Sequence, residues 1–228
     1  MRWLKDALGF ADFAPRLMER HMLGRIVIMV LLLTCLPAAA ANDADTKYRE
    51  LVTTAKSGQP VDWQALRFAY AESSGFDLVG TKSADARKAM NEALKAKDYA
   101  GALAQANLIL EQAYVDIDAH IVSDIANTNL GNAAEAKKQH AIVIGLLQSI
   151  RTGDGKTPEA AFTVITVGEE YSLIRVLGLR RQQQVLIAKG GHHYDVLDVT
   201  DEDGRSQKLY FQVDRVLAAE AALLKDKR

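Results

Sequence analysis

From Ala44 to Ile150 apolar residues recur at three- and four-residue spacing, with polar residues between them and a single proline, Pro60. That period is the mark of helices that bury one stripe and leave the opposite face in water. After Gly153-Asp154-Gly155 the pattern changes to short runs of Val, Ile, Tyr and Phe, several alternating apolar with polar, which is the period of strands. Residues 42–150 therefore read as a helical region and residues 151–228 as a β-rich region with helices near 169–177 and 214–225. Pro60 and Asp62 open a short helix carrying Leu66, Phe68, Ala69 and Tyr70, and Ser73-Ser74-Gly75 ends it. Residues 76–83 read as a loop. In the second region Phe162, Val164, Ile165 and Val167 predict a strand, Gly168-Glu169-Glu170 opens a helix, and Gly178 closes it. Leu179 to Ala188 and Tyr194 to Thr200 predict further strands, and Asp201-Glu202-Asp203-Gly204 turns the chain into Leu209, Phe211 and Val213. The expected fold class is α+β: helical hairpins followed by a small antiparallel sheet with one or two helices.

The helical region repeats itself at a shift of 34 residues. Ala100, Ala102 and Gln105 recur as Ala134, Ala136 and Gln139, and Leu108-Ile109-Leu110 as Ile142-Val143-Ile144. A 34-residue period of helix, turn and helix resembles the tetratricopeptide repeat. Ala102 and Ala136 would let paired helices approach closely, and Tyr99 stands where that repeat places an aromatic. Asp98 and Asn132 precede second helices as candidate caps, Asn132 with Glu135 as a capping-box partner, and Gly131 fits the turn that ends a helix. The pattern departs from the repeat in lacking Trp and Gly in the first helix and in placing Tyr114 and Gln148 where Pro is common. Because one hairpin cannot bury its stripe alone, such units stack, and their concave surfaces bind peptides or proteins. A helical pack serving only as scaffold is the simpler alternative.

One segment changes the picture of where the protein works. Arg25, the apolar run Ile26 to Leu36 and then Ala38-Ala39-Ala40 follow the order of a secretory leader. With Pro37 and weakly apolar alanines the run is short of the ~20 residues that span a bilayer. Residues 1–41 are thus expected to be a signal peptide, starting at Met22 and cut after Ala40 or Ala41. The alternative is an inner-membrane anchor from Leu23 to Ala41. The expected location is periplasmic or secreted, with no membrane attachment after cleavage. Cys35, the single cysteine, falls inside this leader, so no disulfide framework is available to the rest of the chain. Thr34 before it departs from the small residue of a lipobox.

The whole chain carries a formal net charge of −1, and residues 42–228 hold 23 basic against 26 acidic side chains. That offers no basic field for nucleic acid, whose binding depends on clustered Lys and Arg.

Candidate chemistry is sparse. His192, His193 and Asp195, with Asp198 near by, carry atoms suited to zinc and similar ions, although in a strand His193 and Asp195 share a face and His192 points away. Asp116, Asp118, His120 and Asp124 form a second group, in which His120 and Asp124 lie one helical turn apart and Asp116 and Asp118 complement the positive end of a helix. Tyr99, His120 and Asp124 are the candidate residues of an interaction surface. Glu169 and Glu170 could do acid and base work if burial raised one pKa, but adjacent helical residues do not face each other and first-turn placement explains both. A Gly-x-Ser-x-Gly elbow is missing, and Gly153-Asp154-Gly155 lacks the Lys-Ser/Thr ending of a phosphate loop and reads as a linker turn. No catalytic residue and no cofactor is expected.

The order of several short motifs, Val61-Asp62-Trp63 with Leu66-Arg67 and Tyr70, Asp116-Ile117-Asp118-Ala119-His120, Gly153-Asp154-Gly155 with Thr157-Pro158, Glu169-Glu170-Tyr171, and Tyr194-Asp195-Val196-Leu197 followed by Leu209-Tyr210-Phe211, resembles the bacterial domain-of-unknown-function family numbered 4919. The resemblance implies an exported bacterial protein and supplies no catalytic residues. The expectation is a non-catalytic protein-binding or scaffold module of the cell envelope, whose partner is a protein or peptide. The alternative is a metal-dependent or hydrolytic envelope enzyme using His192, His193 and Asp195.

Overall fold

The computed structural model describes residues 38–226. The elements in chain order are α1 (Ala38–Lys56), α2 (Trp63–Glu72), α3 (Ala84–Lys95), α4 (Tyr99–Gln112), α5 (Ile117–Asn129), α6 (Ala133–Ile150), a 3-10 turn (Pro158–Ala160), β1 (Phe162–Thr163), α7 (Val167–Val176), β2 (Arg180–Lys189), β3 (His192–Thr200), β4 (Ser206–Gln212) and α8 (Asp214–Asp226). The expected leader lies outside the described residues except for Ala38 to Ala41, which open α1.

Local signals set most helix ends. The Asp62, Asp98 and Asp116 carboxylates each accept from a backbone amide of the first turn, those of Ala65, Gly101 and Ala119, all at 2.9 Å. Asn132 is different: its side chain makes no cap bond and instead donates to Asn127 Oδ1 at 3.1 Å. The reason is Gly131, whose φ of +81° folds the α5–α6 turn so that Asn132 lies back over the end of α5.

α3 with α4 and α5 with α6 form two consecutive hairpins, and α1 packs on α2 before them. Ala102 and Ala136 are buried, and Met90, Leu94, Ala106, Ile109, Ala119 and Val122 close the seam among α3, α4 and α5. A second, larger core runs from Ala55, Leu66 and Tyr70 through Ile121, Leu146 and Ile150 to Leu173, Leu197, Phe211 and Val216. The helical and β-rich regions are thus welded by one apolar interior, with α5 contributing to both clusters.

The sheet order is β1-β4-β3-β2. β2, β3 and β4 are antiparallel neighbours, but β1 runs parallel to β4, so the sheet is mixed rather than wholly antiparallel. β1 is also only two residues long, because Val164 and Ile165 turn inward to the core and Val167 already belongs to α7. Gly190 and Gly191, with φ of +61° and +83°, make the tight turn between β2 and β3. Gly153-Asp154-Gly155 is more than a linker: Gly155 N donates to Ala160 O, and Gly155 O accepts from Tyr210 N, both at 2.8 Å, which lays this segment against β4.

Candidate functional site

The polar chemistry of the interior gathers where α7 enters the core. Thr166 caps the helix by accepting from the Glu169 amide at 3.3 Å. Successive helical residues point about 100° apart, so the first turn sends Glu169 toward α2 and Glu170 toward β3.

Glu169 meets Arg67, a fully buried arginine on the inner face of α2. Arg67 Nε donates to Glu169 Oε1 at 2.7 Å and Nη2 to Oε2 at 2.6 Å, a two-pronged pair. The remaining donors are used as well: Nη2 reaches Thr163 O at 2.8 Å and Nη1 reaches Ser149 Oγ at 3.2 Å, while Ile165 N donates to Glu169 Oε2 at 2.9 Å. One guanidinium therefore ties together α2, α6, β1 and α7. A buried pair survives only when its spare donors and acceptors are matched in this way.

Glu170 is in the opposite situation. It is fully buried, and neither carboxyl oxygen accepts a hydrogen bond from a neighbouring donor. Burial pushes its pKa up to about 9, and the negative charges of Asp195 and Glu169 push the same way. At neutral pH Glu170 is a neutral carboxylic acid. Asp195 lies within hydrogen-bonding reach, so the protonated Glu170 can donate its O–H to the Asp195 carboxylate, whose own pKa is raised by burial.

From Asp195 a polar line runs outward. Gln184 Nε2 donates to Asp195 Oδ2 at 2.6 Å, and Gln184 Oε1 accepts from the Tyr171 hydroxyl at 3.1 Å and from Arg181 Nη1 at 3.0 Å. The Arg181 guanidinium lies 5.0 Å from the centre of the Tyr171 ring and donates to its hydroxyl at 3.0 Å. The register explains why Arg181 is here. A bulge between Arg181 and Gln183 skips Gln182, so Arg181 rather than Gln182 falls on the helix-covered face with Gln184 and Leu186. Since Glu170 is enclosed, the site as it stands holds a proton and fixes α7 on the sheet; no substrate reaches that carboxyl without displacing α7.

His192 and His193 lie beside the Gly190-Gly191 turn and both reach Asp214, the first residue of α8. His192 Nδ1 is 2.6 Å from Asp214 Oδ2, and His193 Nδ1 is 3.1 Å from Oδ1. Asp214 Oδ1 also accepts from His193 N at 2.8 Å. Asp195 does not join them, because it is buried on β3, and His192 does not point away from His193, since both imidazoles meet Asp214. Among the described residues no group of three or more His, Cys, Asp or Glu is arranged to hold a metal ion.

His120 and Asp124 are interior groups, not surface ones. His120 is fully buried, with Nε2 at 2.7 Å from Tyr114 O and Nδ1 at 2.6 Å from Gln139 Oε1, and burial lowers its pKa. Asp124 turns instead to His140 Nδ1 at 3.2 Å, so the one-turn pair with His120 is not made. Tyr99 is half-buried against the α3–α4 seam. Asp116 caps α5 and pairs with Arg87, and Asp118 pairs with Arg175 and accepts from Ser172 Oγ at 2.8 Å, which pins the start of α5 to α7.

Sequence reasoning missed Arg67, Gln184 and Arg181. Arg67 carried one readable signal: a charged residue between Leu66 and Tyr70 on an apolar stripe needs a buried partner. Gln184 and Arg181 carried none, since the bulge that selects them depends on pairing with β3.

One surface stands apart. β2 is ten residues long and ends the sheet, so its outer edge is not paired within the described sheet. Val185 and Leu186 are each 52 % exposed on opposite faces of that strand.

Taken together, fold and site define an α+β protein in which helical hairpins are locked onto a mixed sheet by buried acid–base groups. The chain belongs to the family described as Domain of unknown function (DUF4919), whose model matches residues 61–222. Neither the curated proteins nor the solved structures contain a match.

Proposed function

We propose that this protein is an exported, non-catalytic protein-binding module of the cell envelope, and that it receives an extended polypeptide along the outer edge of β2. The observation that carries the reading is the edge itself. Sheet edges expose a row of unpaired N–H and C=O groups that template another strand, and natural proteins shorten, bend or cover them. Here the edge strand is ten residues long and keeps two large apolar side chains half in water, at Val185 and Leu186. Strand addition supplies main-chain hydrogen bonds, and alternate side-chain positions supply selectivity. The helical hairpins and the α7 anchor hold that edge rigid.

A photo-cross-linking side chain placed at Val185 in the exporting cell tests this, with the same group at the exposed loop residue Val79 as the control. The reading expects an adduct from Val185 that is lost when Leu186→Lys is added and that mass spectrometry maps to one segment of one partner. Equal adducts from Val185 and Val79 overturn it. Amino-terminal sequencing of the protein from the envelope tests export: a start at Ala41 or Asn42 supports cleavage, and an intact Leu23 to Ala41 segment supports the anchored form.

A further inference from the structure

Resting on that reading of β2, we propose that the occupant is an acidic strand of a different protein, with two adjacent apolar residues followed, after two intervening positions, by two carboxylates. The strand's own side chains set this out. Its exposed apolar residues lie together, Val185 on one face and Leu186 on the other, and Ile187 beside them is half-buried. At its beginning Arg180 and Arg181 are both exposed, again one on each face by register with Thr200 and Val199. β2 has no acidic residue, and Arg180 has no ion pair among the described residues. Lys189 at the far end is already paired with Glu159 at 2.7 Å. The positive charge of this edge that no carboxylate pairs, on Arg180 and on Arg181 with its neutral partners Gln184 and Tyr171, is therefore concentrated at one end.

Counting along the edge fixes the spacing. An antiparallel partner that sets two apolar residues against Leu186 and Val185 passes Gln184 and Gln183 next. The bulge displaces Gln182 against β3, and a partner that keeps its side chains on the faces of Arg181 and Arg180 passes over Gln182 in the same way, so its following two residues face those arginines. Carboxylates there complement the charge on both faces of the strand. A second copy of this chain is the wrong occupant. Two-fold pairing along the full edge lays Arg180 of each copy opposite Lys189 of the other, whose carboxylate partner Glu159 is already taken, so neither Arg180 meets a free carboxylate.

Fluorescence anisotropy of the full chain with a labelled dodecapeptide of that pattern, two isoleucines, two threonines and two glutamates in its centre, tests the inference. The glutamate peptide should bind at least tenfold more tightly than the same peptide with lysines, and the preference should shrink as salt rises. Arg180→Glu, a change at an exposed residue, should abolish or reverse it. Equal binding of both peptides overturns the acidic assignment while leaving strand addition at β2 standing. Binding of neither peptide overturns the assignment, and a persisting Val185 cross-link then marks a partner of other chemistry. Self-association of the chain that Leu186→Lys removes overturns it in favour of a second copy. Loss of both peptide binding and the cross-link removes the β2 reading as well.

Discussion

Replacing Glu170 with glutamine should stabilise this protein, and the gain should depend on pH. In the unfolded chain the carboxyl titrates near 4.5, whereas in the fold burial and the neighbouring carboxylates of Asp195 and Glu169 raise it to about 9. A raised folded pKa means that the native state holds a proton the unfolded state has lost. The stability tied to that proton is fully present below about pH 4.5, falls as pH climbs, and has gone once pH passes about 9. At pH 7 the difference between pH and the unfolded value corresponds to about 3 kcal/mol at 1.36 kcal/mol per pKa unit. Glutamine keeps the shape and stays neutral, so Glu170→Gln removes this dependence. Its amide can donate to Asp195 as the protonated acid does, so the two proteins should be close in stability near pH 4.5 and diverge above it. Urea unfolding followed by circular dichroism at pH 5, 7 and 9 reads the difference directly. It should widen with pH and favour the variant by up to about 3 kcal/mol at pH 7. A difference that stays constant from pH 5 to 9 would refute the reasoning, because it would mean that Glu170 titrates alike in both states.

Arg67→Met should cost about 3–5 kcal/mol, since it leaves the Glu169 carboxylate buried without its counter-charge; Arg67→Lys should restore little, because an ammonium cannot match both Glu169 oxygens and Thr163 O. Urea midpoints of the two variants measure both effects. At Gly145 a Cβ would overlap the Trp63 indole, so Gly145→Ala should destabilise by about 1–3 kcal/mol and shift the Trp63 emission. The His120 ring should titrate, by nuclear magnetic resonance, at a lower pH than a free imidazole, since burial lowers its pKa; a midpoint at or above that of a free imidazole would contradict the enclosed geometry.

Much of the secondary structure could be read along the chain because its causes are local. Asp62, Asp98 and Asp116 are caps that act within one turn, Asp201-Glu202-Asp203-Gly204 turns one strand into the next from its own residue types, and the change from helical to alternating period near residue 150 marks where helices give way to strands. The 34-residue repeat was equally legible, and its two small positions, Ala102 and Ala136, are both buried. Asn132 shows the limit of such rules: the residue type suited a cap, but its side chain found Asn127 first. The parallel pairing of β1 with β4 was invisible because Phe162 and Phe211 are 49 positions apart and nothing between them states a direction.

The sites divide in the same way. By itself the sequence determined which groups were available: Glu169 and Glu170 in a first helical turn, His192 and His193 beside a glycine turn, and an arginine in an apolar stripe. Only the tertiary structure decided what each group does. Arg67 satisfies Glu169 across 102 residues, while Glu170, one position on, is enclosed beside Asp195 and keeps its proton. A one-residue bulge in β2 brings Arg181 to the helix face, and β2 lies at the sheet's end, which leaves Val185 and Leu186 half in water. Helices and turns follow from contacts a few residues apart, whereas charge state and exposure depend on which distant surfaces exclude water from a group.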